Sequence, residues 1–452
     1  MDKERYSKHI KKFDIGHLII ISLALHLAVI GLPSFQTVHD EKVYVSAAYN
    51  ILIGVDSNPE HPFLGKLWGS IGIAVFGDNF LGWRIPIVAF GILTLYVFYK
   101  LSSLFLDERK ALLATAFLSF DTIFFVHSSL LLLEIPALFF GLLAFYLYLK
   151  DRYILSAASF GLAILSKEWS LLFVIALLIY HTMIHRPISL KGININKRST
   201  VKAVKFVGVV SAVVVIPLWA FASTFVIFLP LTYGGYEEAS AMNIIPVDRD
   251  GNPLPTNATS ASFGRLMNPL DQVGYIARYQ SNLTQRVLLD DDYKLEFSKN
   301  YPWGWILPLD VNPVTYFEKE VTFTNELDEE VTKIPLSWKV IGNYPIWLSI
   351  WLIAPYALFN VIKKRGNKLD YLIIAWIIAT FFSWFFVAGL LGRIVYAFYF
   401  INVIPILALG IPYFVGRVSR NNSKLERIIT IAWLSAALIF FFYYFPVNVA
   451  TL

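Results

Sequence analysis

Cysteine is absent from the 452 residues of this chain. The chain therefore has no disulfide bond, no iron–sulfur cluster held by cysteines and no thiolate metal site. Charged residues are also scarce, at 15% of the sequence, whereas soluble proteins carry about 25%. Hydrophobic residues make up 57%, and the mean hydropathy is +0.59. This composition excludes an ordinary soluble enzyme and predicts a polytopic membrane protein.

Several patterns that would indicate other functions are absent as well. The sequence has no glycine-rich phosphate-binding loop of the Walker type, no internal repeat and no low-complexity tract. A net charge of +6 does not by itself indicate nucleic acid, and we expect no nucleic-acid partner. No small-residue cleavage site follows the first apolar run, so we expect that run to be a membrane span and not a signal peptide.

The apolar runs that are present are long enough to cross a bilayer, which requires about 20 residues. The candidate spans are 15–33, 82–106, 111–127, 130–149, 153–166, 168–185, 203–229, 342–362, 370–391, 394–415 and 428–446. With a cytoplasmic N-terminus, this arrangement places most Lys and Arg residues in the inner loops, as the positive-inside rule expects. The sequence thus predicts an all-α polytopic protein with about eleven transmembrane helices.

The same topology divides the chain into three parts. Residues 1–229 form an N-terminal transmembrane module whose first outer loop is 34–81. Residues 230–341 form a large extracytoplasmic loop, and residues 342–452 form the C-terminal helices. Near the end of the large loop, two segments of alternating character, 315–324 and 329–334, flank a turn sequence and predict a β-hairpin.

An acid pair, Asp40-Glu41, follows the first span directly. A carboxylate at the mouth of an apolar cavity can take a proton from a hydroxyl group, which is what a transferase requires of a general base. The alternative interpretation is a solvated cap at a helix end. Ionisable residues are rare in the membrane part of the chain. Because such residues in membrane proteins usually have a functional role, we favour the functional interpretation of the acid pair.

Other charged residues lie within apolar runs or at their outer ends. They are Asp121, Glu134, Lys167 and Glu168. A charge at such a position is costly unless it faces water or an opposite charge. Because the predicted topology places all four on the outer side, we expect them to share one cavity with the acid pair.

Four cations occur at the same predicted level of the membrane, namely Lys66, Arg84, Lys167 and Arg393. They are suited to bind an anionic group such as a lipid phosphate. The alternative is that some of them extend along apolar surface to reach the membrane interface.

The segment around Pro62 and Gly65 predicts a shaped turn that presents His61 and Lys66, and not a plain helix. In the large loop, the aromatic face of Trp303 is suited to contact a sugar or a peptide.

Two segments of the first outer loop resemble motifs of the protein O-mannosyltransferase family. Members of that family carry an Asp-Glu pair in this loop, followed by the sequence HPPLGK. Here Asp40-Glu41 is followed by HPFLGK at 61–66. The resemblance continues in order along nearly the whole chain. The further similar segments are Asp121 through Ser128 to Glu134, SKEW at 166–169, SKNYPWG at 298–304, GNYPIW at 342–347, and Arg393 with Tyr396, Tyr399 and Pro405.

The chain departs from the family pattern at several of these positions. Ser129 stands where the family has Arg, Glu134 where it has Asp, and Phe63 where it has a second Pro. Asn300 and Gly304 replace Trp and Pro in the outer-loop motif. These departures, with no sequence for a β-trefoil insert, resemble a prokaryotic member of archaeal type.

The resemblance implies a GT-C glycosyltransferase fold in a multi-pass protein of the plasma membrane, with its active site facing outside. The implied reaction transfers mannose, with inversion, from a polyprenyl or dolichyl phosphate to Ser or Thr of an acceptor protein. Asp40 would be the base, and Glu41 would orient the hydroxyl or the sugar. The implied donor and phosphate ligands are Lys66, Arg84, Lys167, Arg393, Tyr396 and Tyr399. The implied substrate-binding residues are His61, Asp121, Ser128, Glu134 and Trp303.

Several alternatives stay open at this point. A transferase of the aminoarabinose type, or a mannosyltransferase that extends a glycan, would use the same class of donor with a lipid or glycan acceptor. An oligosaccharyltransferase is disfavoured because the sequence has no Trp-Trp-Asp motif. A transporter would predict inverted repeats, and the sequence shows none. Carboxylates can hold Mg²⁺ or Mn²⁺, but no ligand set stands out, and a dimer is equally open.

Overall fold

The computed structural model describes residues 13–34, 36–52, 58, 61–185, 301–307, 314–324, 330–393, 395–419 and 422–449. Helices dominate these residues. Four helices are long and apolar enough to cross a membrane, and six further apolar helices have 10–17 residues. The four are Phe80–Ser102, Tyr344–Ile362, Lys368–Leu390 and Ser423–Tyr443. The chain is therefore a multi-pass integral membrane protein, as its composition predicts.

The N-terminal part of the described chain is entirely helical. Its elements are α1 (Ile15–Val29), α2 (Glu41–Leu52), α3 (Phe63–Phe76), α4 (Phe80–Ser102), α5 (Glu108–Ser119), α6 (Thr122–His127), α7 (Glu134–Leu149), α8 (Tyr153–Ser166) and α9 (Leu171–His185). A short 3₁₀ turn, Glu168–Ser170, precedes α9. Helices α4 and α7 pack against each other in the centre of this part, with α3 beside α4 and α8 beside α7.

The C-terminal part contains a small sheet followed by helices. Its elements are β1 (Val314–Thr324), β2 (Glu330–Val340), α10 (Tyr344–Trp347), α11 (Ile350–Ile362), α12 (Lys368–Ile377), α13 (Ser383–Leu391), α14 (Ile404–Val418), α15 (Ser423–Tyr443) and β3 (Val447–Val449). A π-helical turn, Ile378–Phe382, joins α12 to α13, and 3₁₀ turns occur at Pro302–Trp305 and Ala397–Asn402. Helix α12 packs on α9, and α14 packs on α5, so the two parts share one core.

Polar side chains determine where several helices begin. Asp14 accepts hydrogen bonds from the backbone N–H groups of Gly16 and His17 at the start of α1. The hydrogen bonds with His17 lower the pKa of the Asp14 carboxyl. Asn79 caps α4 in the same way. Such caps satisfy backbone N–H groups that have no partner within the helix.

The structure confirms part of the predicted helix pattern and corrects another part. The predicted run 153–166 coincides with α8, and the break at Lys167 separates it from α9, as expected. The run 111–127 is not one helix but two, because the Asp121 side chain accepts from the N–H groups of Ile123 and Phe124 and starts α6 anew. The predicted span 203–229 lies outside the described residues.

The predicted first outer loop, 34–81, contains two helices, α2 and α3, that the sequence does not predict. The prediction of a shaped turn at 62–66 is wrong, because α3 begins at Phe63. Pro62 precedes the first turn of α3, where its fixed φ suits a helix start, and both Gly65 and Lys66 lie within that turn. A Cβ atom at Gly65 would lie 2.6 Å from the carbonyl oxygen of Ser166. Glycine is therefore required here by the close approach of α3 to the end of α8.

The predicted β-hairpin is confirmed, and the structure adds a third strand. Strands β1 and β2 pair antiparallel, and β3 pairs with the other edge of β2. The hairpin tip, 325–329, lies outside the described residues. The indole N–H of Trp338 on β2 donates to the carbonyl of Leu32 at 2.8 Å, which attaches the sheet to the loop after α1. A register shift between Thr315 and Phe317 interrupts the ladder at Tyr316, whose side chain is buried.

Candidate active site

Asp40 lies immediately before α2 with its carboxylate partly open to solvent. Its side chain is 44% exposed, and its Oδ1 lies 3.4 Å from Nδ1 of His39. Its backbone carbonyl accepts from the N–H groups of Val43 and Tyr44, which fixes the residue on the first turn of the helix. Asp40 is thus held by its backbone while its carboxylate stays accessible to a reactant.

Glu41 has the opposite environment, although it is the next residue. Its side chain is fully buried and forms a two-point ion pair with Arg84, at 2.7 Å and 2.9 Å. The carboxylate also accepts from the backbone N–H groups of Val38 and Leu131, each at 3.0 Å. Four donors therefore surround the Glu41 carboxylate, and its oxygens face the protein.

The remaining N–H groups of Arg84 bind the loop between α1 and α2. They donate to the carbonyls of Ile30 at 2.7 Å, Pro33 at 3.2 Å, and Leu32 and Gln36 at 3.4 Å. Arg84 is also fully buried. The pair Glu41–Arg84 therefore holds the backbone that leads to Asp40.

Two more of the candidate residues, Lys66 and Asp121, form hydrogen bonds with other groups of the protein. The Lys66 ammonium donates to the carbonyls of Asn58 at 2.7 Å and His61 at 3.1 Å, just before α3. Asp121, besides capping α6, accepts from the indole N–H of Trp347 at 2.9 Å. Both side chains are buried. Their observed contacts stabilise the fold around the site.

A buried charged cluster lies where α6, α7 and α8 meet. Lys167 forms an ion pair with Glu134, and its ammonium lies 6.0 Å from the centre of the Tyr44 ring. His127 Nδ1 lies 3.5 Å from the second carboxylate oxygen of Glu134. On its other side, Nε2 of His127 lies 2.8 Å from the hydroxyl of Tyr316. The cluster therefore connects the ends of three helices to strand β1 of the sheet.

His61 lies beside this cluster and binds a different acid. Its Nδ1 lies 3.0 Å and 3.2 Å from the two carboxylate oxygens of Glu168. The two side chains are 17% and 27% exposed, so this pair borders the open part of the site. The His61 ring also lies 5.9 Å from the ring of Tyr44. This contact places His61, a residue of the predicted first outer loop, beside Glu168.

The segment after α13 brings a cation to the site. Arg393 is half-buried, and its guanidinium lies 3.5 Å from the hydroxyl of Tyr399. Tyr399 stacks on Trp384, with 4.5 Å between the ring centres. Among residues the structure describes, no carboxylate forms an ion pair with Arg393. Tyr396 stacks on Phe398 in the same segment.

The remaining candidates lie at the margins of the site. Trp303 is 54% exposed and packs on Tyr301, with 4.3 Å between ring centres. Ser128 is buried and donates to the carbonyl of Phe124 within α6. Ser129, which replaces the family's Arg, forms a 2.8 Å hydrogen bond with Nδ1 of the buried His26. Within the described ranges, no group of three His, Asp or Glu side chains is arranged to hold a metal ion.

Sequence reasoning missed two members of the cluster, His127 and Tyr316. His127 had a usable signal, because it is an ionisable residue within an apolar run, like Asp121 and Glu134. Tyr316 had none. Its side chain reaches the site through the local break in the β1 ladder, which the strand pattern does not reveal.

The sequence of this chain is similar to those of known mannosyltransferases. Residues 60–221 match the family model described as dolichyl-phosphate-mannose-protein mannosyltransferase. The chain is 30% identical over 152 residues to the polyprenol-phosphate-mannose–protein mannosyltransferase of Corynebacterium glutamicum. That match covers 30% of this chain and 29% of the relative's length.

Two solved structures resemble the whole fold. The protein O-mannosyltransferase Pmt1-Pmt2 complex of S. cerevisiae, bound to the sugar donor, matches with a TM-score of 0.62 and 12% identity. The match covers 97% of this chain and 90% of that one. ArnT from Cupriavidus metallidurans, in the apo state, matches with a TM-score of 0.50 and 14% identity, over 91% of this chain and 62% of that one. At such identities these matches show a likeness of fold alone, in line with the GT-C fold that the family resemblance implies.

Proposed function

We propose that the chain is an inverting glycosyltransferase of the family whose model matches residues 60–221 and is described as dolichyl-phosphate-mannose-protein mannosyltransferase. It moves mannose or a related hexose from a polyprenyl or dolichyl phosphate to Ser or Thr hydroxyls of proteins. The reaction takes place at the outer face of the plasma membrane, with the N-terminus in the cytoplasm. The chain matches only 29% of the length of the C. glutamicum relative. The proposed activity is therefore argued from the geometry of the site.

One observation carries this proposal. Of the candidate acids, Asp40 alone combines an exposed carboxylate with the lack of a Lys or Arg partner in the described part of the chain. Glu41 is neutralised by Arg84, Glu134 by Lys167, and Glu168 binds His61. An accessible carboxylate beside an otherwise charge-balanced wall is what a general base requires.

In the proposed reaction, the acceptor hydroxyl gives its proton to Asp40 as its oxygen attacks the anomeric carbon. The new bond forms between that oxygen and the sugar, and the bond from the anomeric carbon to the phosphate oxygen breaks. The electron pair leaves with the polyprenyl phosphate. General-base assistance of this kind typically contributes about 10²–10⁴-fold to the rate. The membrane retains both the donor tail and the leaving group.

We assign the leaving phosphate to Arg393 and Tyr399, with Lys167 as a second cation. Arg393 has no carboxylate partner among the residues described, so its charge is available to an anion. The ion pair with Glu134 holds the Lys167 ammonium in place. Cations held in advance where negative charge develops lower the barrier without further reorganisation. The phosphate then needs no proton in order to leave.

The other candidate residues receive supporting roles in this proposal. Lys66, Arg84 and Asp121 maintain the walls of the site through their buried contacts. His61, fixed by Glu168, lies where an acceptor or sugar hydroxyl would enter. The exposed face of Trp303 is suited to a sugar or an acceptor side chain.

Transfer by the purified protein in lipid bilayers tests the function. Polyprenyl-phosphate-[³H]mannose is supplied with a Ser/Thr peptide, the same peptide with Ala at those positions, and a lipid acceptor. Label on the Ser/Thr peptide only is expected. Label on the lipid acceptor instead would favour the aminoarabinose-transferase alternative. Absence of transfer to every acceptor would contradict the proposed function.

Charge reversal at the proposed phosphate ligand should weaken donor capture. Arg393→Glu removes a charge-assisted contact, so we expect about 10- to 100-fold lower affinity for the polyprenyl-phosphate sugar. Lys424→Glu, the same reversal at an exposed position on α15, serves as the matched control. Equilibrium binding of labelled donor is measured for both. Equal affinity in the two variants would show that the phosphate binds elsewhere.

A further inference from the structure

We propose that His39 is a positioning residue for Asp40, and that its imidazole holds the carboxylate in the orientation in which it receives the acceptor proton. This inference rests on the proposed function and names an additional residue of that site. The two side chains are neighbours in sequence, yet they meet through their functional atoms, with Nδ1 of His39 lying 3.4 Å from Oδ1 of Asp40. At 3.4 Å the two atoms form an ion-pair contact and not a hydrogen bond, and catalytic contacts often tighten when substrate binds.

The backbone of His39 is left-handed, with a φ of +52°. Glycine adopts this region most readily, and asparagine and histidine adopt it more often than other residues do. The His39 carbonyl accepts from the N–H of Lys42 and helps to start α2. Glycine or asparagine can fill this backbone role, so substitution by either residue tests the His39 side chain.

The ring of His39 is held from two distant parts of the chain. Its centre lies 4.7 Å from that of Tyr316 on β1 and 6.3 Å from that of Phe398. Tyr316 is itself fixed by the 2.8 Å hydrogen bond to His127. The position of the imidazole is thus set by packing, while the side chain stays 30% exposed.

The charged surroundings determine what the imidazole can influence. On its own segment it faces Asp40. From β1 it faces the Tyr316 hydroxyl, and His127 and Glu134 lie behind that hydroxyl. The turn that carries Phe398 presents an apolar ring. The nearest anionic group of this set is the Asp40 carboxylate, so Asp40 is the group that the imidazole is placed to orient.

Three substitutions separate the parts played by backbone, ring and donor. His39→Gly and His39→Asn both accept the left-handed backbone, but only Asn keeps a side-chain N–H. His39→Phe keeps the ring packing on Tyr316 without a donor. Lys364→Gly, at another left-handed position between α11 and α12, is the control for added backbone freedom. Each variant is purified at full length, and its melting temperature and donor affinity are measured beside the kinetics of transfer.

We expect His39→Gly and His39→Phe to lower kcat about tenfold with little change in donor affinity, because the Asp40 carboxylate loses the group that orients it. His39→Asn should recover part of this loss of kcat, and Lys364→Gly should resemble the wild type.

The outcomes distinguish this inference from the proposed function. If the wild type transfers sugar and all three His39 variants keep its kcat, His39 has no positioning role and the transferase assignment stands. A fall in activity that follows only a fall in melting temperature would make His39 a structural residue. If the wild type itself transfers no sugar, both proposals fail together.

Discussion

Replacing Asp40 by Asn is expected to reduce sugar transfer by about 10²–10⁴-fold while donor binding stays close to that of the wild type. The substitution keeps the shape of the side chain and removes its ability to take a proton. Since the carboxylate is 44% exposed and its fixed contacts are made by the backbone, the fold should not change. Single-turnover transfer to a Ser/Thr peptide and equilibrium binding of the labelled donor separate the two effects.

A second acid in the same loop provides the matched control. Asp78 is exposed and accepts a hydrogen bond from the indole of Trp83 at 2.7 Å, which Asn can replace through its amide oxygen. Asp78→Asn should therefore retain transfer. If Asp40→Asn were as active as Asp78→Asn, another group would have to accept the proton, and Asp40 would not be the base.

Loss of either partner of the buried pair Glu41–Arg84 is expected to destabilise the protein strongly. Removing one side of a buried ion pair leaves an unpaired charge and typically costs about 3–5 kcal/mol. For Arg84→Ala we also expect the loop 30–36 to lose its anchor, since four of its carbonyls accept from this one guanidinium. Thermal unfolding in detergent, followed by size-exclusion chromatography, measures the effect.

The control is an ion pair that is partly exposed to solvent. Lys110 and Glu426 lie 2.9 Å apart with side chains 29% and 31% exposed. Glu426→Gln should cost only about 0–1 kcal/mol. A stable Arg84→Ala variant that fails to bind donor would instead restore Arg84 to the phosphate-binding role implied by the family resemblance, and the structural role given to the pair would be wrong.

Much of the fold follows from run length and from polar punctuation in the sequence. The apolar runs locate most helices, Lys167-Glu168 separates α8 from α9, and the alternation in 315–324 predicts β1. Helices α2 and α3 of the predicted first outer loop were not predicted from the sequence. Helix α2 carries charged residues at its start, and its stability depends on packing against α3, which the sequence does not show.

The site was predictable in its composition but not in its pairings. Asp40 and Glu41 are adjacent and chemically alike, yet one is accessible and the other is fully buried. The difference depends on Arg84, 43 positions away from Glu41, and so on tertiary contacts. The same holds for Lys66, whose charge suits a phosphate but whose ammonium binds nearby carbonyls. Residue type identified the candidate residues. Their contacts in the structure are the basis for assigning each of them to the reaction or to the stability of the fold.

A structure of the protein with intact polyprenyl-phosphate-mannose bound to the Asp40→Asn variant tests the central claim most directly. The proposed function predicts the donor phosphate within hydrogen-bond distance of Arg393 and Tyr399. It also predicts that the face of the anomeric carbon opposite the phosphate is open towards residue 40, with room for one hydroxyl between them. A donor bound with its phosphate away from Arg393, or with its anomeric carbon out of reach of residue 40, would contradict the account.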